Sequence, residues 1–176
     1  TALDLAGPVE DVLALASRYG AGLTVGCINR LRPGELIPTE DPSRGEIQRA
    51  IERALAAGAI GIKILGGHFP LTPEATARAI ELANQAGVYV AYHCRTTRTQ
   101  SDILALREAI QLTGRNRLHL PHINSFCRGQ VRDAVAEALE AIELLRSCPH
   151  LFSESYLAGI NGTWGNCSTG VPESGM

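Results

Sequence analysis

Lys63 is the one charge inside an otherwise apolar run, Ala59–Leu65 (AIGIKIL). If that run is a strand, alternation sends Ile62 and Ile64 to one face and Lys63, with Gly61 and Leu65, to the other. Lysine is almost never buried without a partner, so its bland role is to snorkel from a strand end or pair with a buried acid. Its chemical role follows from desolvation. A lysine held out of water loses proton affinity and becomes nucleophilic, able to form a Schiff base or to take up carbon dioxide as a carbamate. A carbamate is an anionic, bidentate oxygen ligand. His93 ends the next apolar run (AYHC), and His122 lies near the end of the one after (LPHINS). Taken singly, each would more often be a satisfied structural histidine. Two neutral imidazoles and an anionic oxygen on three consecutive strands make a donor set suited to a divalent metal such as zinc.

Around these three stand residues with lesser claims. Arg95 follows His93 at the same rim and has the shape to clamp a carboxylate. Cys94 alternates away from His93 and should be buried. His68, after Gly66-Gly67, could reach substrate, although a lone loop histidine usually does nothing. Asn124 and Ser125 follow His122 closely enough to support it, and Asn124 is the better placed for substrate. Glu154 in FSESY is equally a site acid or a solvated carboxylate. His119 lies an odd offset before His122, so strand parity puts it on the opposite face, in a structural role. Gly66-Gly67 lacks the surrounding glycines of a phosphate loop.

These residues need a scaffold, and the chain supplies an alternating pattern. Five short runs read as strands: Leu23–Asn29, Ala59–Leu65, Val88–Cys94, Arg117–Ser125 and His150–Leu157. Near-continuous apolarity marks strands covered on both faces, as in a parallel sheet. Their starts recur roughly every thirty residues, the length of one βα unit. Between them lie amphipathic helices. The first carries Val9, Val12, Leu13 and Ala16 and stops at Gly20. Asp41-Pro42 and Thr72-Pro73 start the next two, Ser101 caps a fourth, and a fifth runs from Gly129 to Arg146 with Val131, Ala134, Val135, Ala138, Leu139, Ile142 and Leu145 in its apolar stripe. The polar loop 29–41 and the Gly/Asn-rich tail after Leu157 read as strand-end loops, where ligands bind in α/β folds.

Composition narrows the classes. The 176 residues carry a net charge of −2, with 45% hydrophobic and 19% charged residues and a mean hydropathy of +0.03. A disordered chain, a collagen-like chain and a basic nucleic-acid binder are excluded. No apolar run approaches the ~18–20 residues of a membrane helix. Five cysteines without a CxxC pair read as reduced thiols of a cytoplasmic protein. The expected partner is a small molecule, with no nucleic acid and no membrane, and a homo-oligomer is compatible with this reading.

GIKIL, then GVYVAYHC about thirty residues on, then LHLPHINS, resembles the middle of the amidohydrolase superfamily, which includes dihydroorotases, hydantoinases and D-aminoacylases. The resemblance covers about Ala59 to Ser125. It implies a (β/α)8 barrel of which this chain would hold strands three to seven as one α/β domain. It also implies metal-activated hydroxide attacking amide-type C–N bonds, as in N-acyl-D-amino acids or cyclic amides. Carried over by motif, Lys63 would be a carboxylated lysine bridging the metals, His93 and His122 would be ligands, and the cofactor would be one or two divalent ions such as zinc. Arg95, His68 and Asn124 would face substrate. The spacing of His93 and His122 is closest to D-aminoacylase-like members, yet those generally lack the strand-four lysine. The family's His-x-His pair does not occur here, and its general-base aspartate is expected beyond Met176. A full barrel needs about 250 residues, so the chain reads as an internal portion of a longer hydrolase. Two other readings compete: a Schiff-base aldolase using Lys63, and a doubly wound α/β binding module without catalysis.

Overall fold

The computed structural model describes residues 1–5, 7–155, 165–166 and 171–172. Its elements in chain order are β1 (Ala2–Asp4), α1 (Val9–Tyr19), β2 (Val25–Cys27), β3 (Asn29–Arg30), α2 (Arg44–Ala56), β4 (Gly61–Leu65), α3 (Pro73–Gln85), β5 (Tyr89–His93), α4 (Ile103–Thr113), β6 (Leu118–Leu120), a 3-10 turn (Ile123–Phe126), α5 (Ala134–Ser147), β7 (Leu151–Ser153), and the short pair β8 (Gly165–Asn166) and β9 (Val171–Pro172). Strands β3 to β7 form a parallel sheet in strict chain order, and β1 pairs with β2 in parallel. The backbone links the two ladders, since Ile28 N–H donates to Asp4 O and Ile60 N–H to Cys27 O. β2 and β3 are therefore two halves of the strand expected over 23–29, interrupted at Ile28. The lone strand β1 was not foreseen, because three residues carry no period.

Sequential strand order with helices α2 to α5 packed neighbour to neighbour is the winding of a (β/α)8 barrel, of which this is a part. A doubly wound sheet reverses its order at a switch point, and this sheet contains none. The doubly wound topology of that alternative is thereby corrected. The apolar core lies between sheet and helices: Ile62 and Ile64 of β4, Tyr92 of β5 and Leu120 of β6 are fully buried there against Ile47, Ile80 and Leu106. Each such side chain contributes roughly 1.5–3 kcal/mol by leaving water. The opposite face of the sheet carries the polar residues discussed below.

Helix ends follow capping chemistry, with two corrections. Thr72 caps α3 as expected, its hydroxyl accepting from Ala75 N–H at 3.1 Å, with Pro73 in the first turn. Helix α2, however, starts one step after Asp41-Pro42. Ser43 forms a capping box with Glu46, while Asp41 ties α2's approach to α3 through Thr72 and Arg78. Asp102, not Ser101, caps α4.

The fifth helix begins at Ala134 because Asp133 caps it, its carboxylate accepting from the Val135 and Ala136 N–H groups, and the preceding loop wraps round Glu137. The fully buried Glu137 carboxylate accepts from the N–H groups of Gly129, Val131 and Arg132 at 2.8–2.9 Å. With Glu137 drawn inward, Val131, Val135, Leu139 and Ile142 of the expected stripe are exposed, while Leu145 packs against the core. Cys27, Cys94, Cys127 and Cys148 are free thiols. No described helix is long and apolar enough to cross a membrane. Most of the tail after Leu157, with Cys167, lies outside the described residues.

Candidate active site

Sheet register places the site. Lys63 pairs with Ala91, Ala91 with His119, and His119 with Phe152, so these residues form one row across β4 to β7 on the face away from the helices. Two residues on in each strand, Leu65 pairs with His93. Lys63 is 3% exposed. Burial drives its pKa from 10.5 down to about 8, and the partial charges of Cys94 and Glu154 only partly oppose that drop. Among the described residues no hydrogen bond or ion pair reaches its ammonium.

His93 and His122 come together. His93 Nδ1 lies 3.3 Å from His122 Nε2, and the ring centroids are 4.7 Å apart. Desolvation, the neighbouring His122 and the Lys63 charge push His93 to about 3. Desolvation and Lys63 push His122 to about 4. Both rings are thus neutral at ordinary pH, the form that ligates metal. The rest of His93 is tightly held. Its Nε2 lies 2.7 Å from Ser101 Oγ, and its ring meets Phe126 edge-on at 5.2 Å.

Gly66-Gly67 is explained by close approach rather than by phosphate. A Cβ on Gly67 would sit 2.9 Å from His93 Nε2, and one on Gly66 would collide with the His93 and Arg95 backbone.

His122 is not on a strand. β6 ends at Leu120, Pro121 follows, and His122 adopts a left-handed conformation with φ 47° and ψ 60°. Such a conformation costs a non-glycine residue about 1–2 kcal/mol. It is held by Glu154, whose Oε1 accepts His122 N–H at 3.1 Å, and by Ile123 N–H donating to Glu154 O at 2.9 Å.

The break in the strand also overturns the parity reading of His119. Parity does not extend past Leu120, and His119 shares the face of Lys63. There His119 stacks on Phe152 and bonds Tyr89 OH through Nδ1 and Glu154 through Nε2. Burial pushes the Glu154 carboxyl up, but the bonds from His119 and the His122 N–H outweigh it and leave the group below the usual carboxylate value.

The remaining predicted residues ring this pair. Arg95 donates to Gly67 O at 3.2 Å, and its buried Nε finds no hydrogen-bond partner among the described residues. Asn124 Oδ1 is likewise buried without one. His68 is exposed in the β4–α3 loop, and its charge acts on His93. Cys94 is fully buried, as alternation required. Sequence reasoning missed Ser101 as a partner of His93 and Gly67 as the floor under it.

The donor set suits a divalent ion as far as it goes. Two nitrogens on one tetrahedral zinc at 2.0–2.1 Å stand about 3.3–3.4 Å apart, which the observed 3.3 Å matches. Among the described residues no group of three or more His, Cys, Asp or Glu could hold a metal.

No protein-family model matches this sequence, and no curated protein does. Solved structures do match. The chain is similar to one in the formyltransferase/hydrolase complex FhcABCD from Methylorubrum extorquens in complex with methylofuran, with TM-score 0.66 and 16% identity over 88% of this chain and 34% of that one. It also matches a Xaa-Pro dipeptidase with bound methionine (TM-score 0.49, 16% identity, 85% of this chain, 40% of that) and a D-hydantoinase (TM-score 0.49, 14% identity, 89% and 39%). The likeness is one of fold. It rests on the first of these structures, and the chain spans between 34% and 40% of the chains it matches.

Two outcomes follow from the packing and protonation of the pair. Gly67→Ala should push the His93 imidazole off its position at a cost of about 1–3 kcal/mol in stability, read as a lower denaturant midpoint. An unchanged midpoint would mean the loop yields freely. For the histidines the folded pKa lies below the unfolded 6.5. As pH falls from about 6.5 towards 4 the unfolded chain binds protons that the folded site refuses, so stability is lost across that window and is insensitive to these groups above it. Urea titrations at about pH 7 and pH 4.5 should differ by about 1–3 kcal/mol more in the native protein than in a His93→Asn, His122→Asn variant. Equal pH slopes would contradict the buried, neutral assignment.

Proposed function

We propose that this site belongs to a metal-dependent hydrolase acting on amide-type C–N bonds, such as those of N-acyl amino acids or cyclic amides. The observation that carries the reading is the 3.3 Å approach of two neutral imidazole nitrogens beside a buried lysine that makes no hydrogen bond or ion pair among the described residues. His93 Nδ1, His122 Nε2 and Lys63 would hold the ion, with zinc the natural occupant of such donors. When bound, a divalent ion supplies Lewis acidity that lowers the pKa of water and polarises a carbonyl.

The chain's own residues do the rest. With a pKa of about 8, about one Lys63 in ten is a free amine at pH 7. Its nitrogen lone pair can add to carbon dioxide and release a proton to solvent, leaving a carbamate anion. That converts a buried cation into an oxygen ligand. Arg95 offers its guanidinium to a substrate carboxylate, and Asn124 Oδ1 offers an acceptor to an amide N–H. His68 closes the exposed side. Glu154 holds His122 in its bent conformation.

An assay of amide hydrolysis by the full-length protein, over N-acyl amino acids and cyclic ureides, tests this. Turnover should vanish on chelation, return with zinc or cobalt, depend on bicarbonate, and fall at least about 100-fold in Lys63→Ala, a loss of about 2.7 kcal/mol or more in transition-state stabilisation. Metal-independent turnover of a carbonyl substrate, with borohydride trapping it on Lys63, would overturn the hydrolase and establish the Schiff-base aldolase.

A further inference from the structure

Ser101 stands one residue before the true cap of α4, and because Asp102 performs the capping the Ser101 hydroxyl is free for other work. It makes two contacts. Its Oγ lies 3.2 Å from Cys94 O, a carbonyl that can only accept, and 2.7 Å from His93 Nε2. A serine hydroxyl has one proton. Spent on the carbonyl of the fully buried Cys94, that proton satisfies a group that is costly to leave unpaired. The oxygen must then accept from the imidazole, so the His93 proton sits on Nε2. The lone pair is left on Nδ1, the atom that faces His122 Nε2.

We propose that Ser101 is a positioning residue that fixes His93 as its Nε2–H tautomer, so that Nδ1 presents a lone pair beside His122 Nε2. The proposal rests on the hydrolase reading for its purpose, since a lone pair aimed at a second imidazole nitrogen is what a shared cation requires. It does not rest on that reading for its geometry. Ser101 lies eight residues past His93, in the turn before α4. The ligand's orientation is therefore set by the loop that follows its own strand. Outer hydrogen bonds of this kind fix tautomer and ring orientation, and their loss typically weakens metal binding by 10–100-fold.

The test separates the two layers. Long-range proton–nitrogen spectra of the metal-free protein, labelled with 15N-histidine, report which nitrogen of His93 carries the proton, and competition against a chromophoric chelator reports zinc affinity. In the native protein His93 should show a protonated Nε2 and a bare Nδ1. Ser101→Ala should show a mixture of tautomers and about 10–100-fold weaker zinc binding, and Ser101→Thr, which keeps the hydroxyl, should restore both. The proton on Nδ1 in the native protein would overturn the proposal, and that spectrum decides even if Ser101→Ala fails to fold. An unchanged His93 tautomer in Ser101→Ala would also overturn it. A fixed tautomer that Ser101→Ala releases, in a protein that takes up no zinc, would support the positioning role and contradict the metal reading instead.

Discussion

A cation in the middle of a parallel sheet is the constraint on which the rest of this structure turns. Lys63 sits on the inner face of β4 with 3% of its surface exposed. Its shift from 10.5 to about 8 corresponds to about 3 kcal/mol of preference for the neutral amine. A domain with a net stability of ~5–15 kcal/mol does not carry such a charge without consequence. The neighbours respond to it. His93 and His122 are both driven to the neutral state, in part by that charge, and Glu154, whose carboxylate acts on Lys63, lies just past the end of β7. The site is thus a desolvated, proton-poor patch inside a barrel wall rather than a collection of independent residues.

Its geometry is fixed by departures from regular structure. β6 stops at Leu120, a proline follows, and His122 bends into a left-handed conformation that Glu154 secures from two directions, through its carboxylate and its backbone. On the other side the glycine pair lets the chain pass against His93, where any side chain would intrude. His93 and His122 meet because one strand ends early and the Gly66-Gly67 pair of one loop carries no side chains. Strain of this kind persists where surrounding contacts over-determine it.

Much of this was legible in the sequence, and the failures have causes. β4 and β5 were readable to within two residues because continuous apolar runs demand cover on both faces, and Lys63 stood out against that background. Strand order followed from the regular βα spacing. Thr72 was legible as a cap because Pro73 follows it. Ser101 and Asp102 are both competent caps, and local sequence does not say which hydroxyl or carboxylate the tertiary structure will claim. The stripe on α5 misled because a buried carboxylate, Glu137, outweighs apolar periodicity when three backbone donors converge on it. His119 was misplaced because parity holds within a strand and not across its end.

The most direct test of the central claim, that Lys63, His93 and His122 form one ion site, is anomalous X-ray diffraction from crystals grown with zinc and bicarbonate, recorded on either side of the zinc edge. The account predicts an anomalous peak within bonding distance of His93 Nδ1 and His122 Nε2, with added density on Lys63 Nζ. Crystals that show no peak there, with the two nitrogens still in direct contact at 3.3 Å and an unmodified lysine, would contradict it.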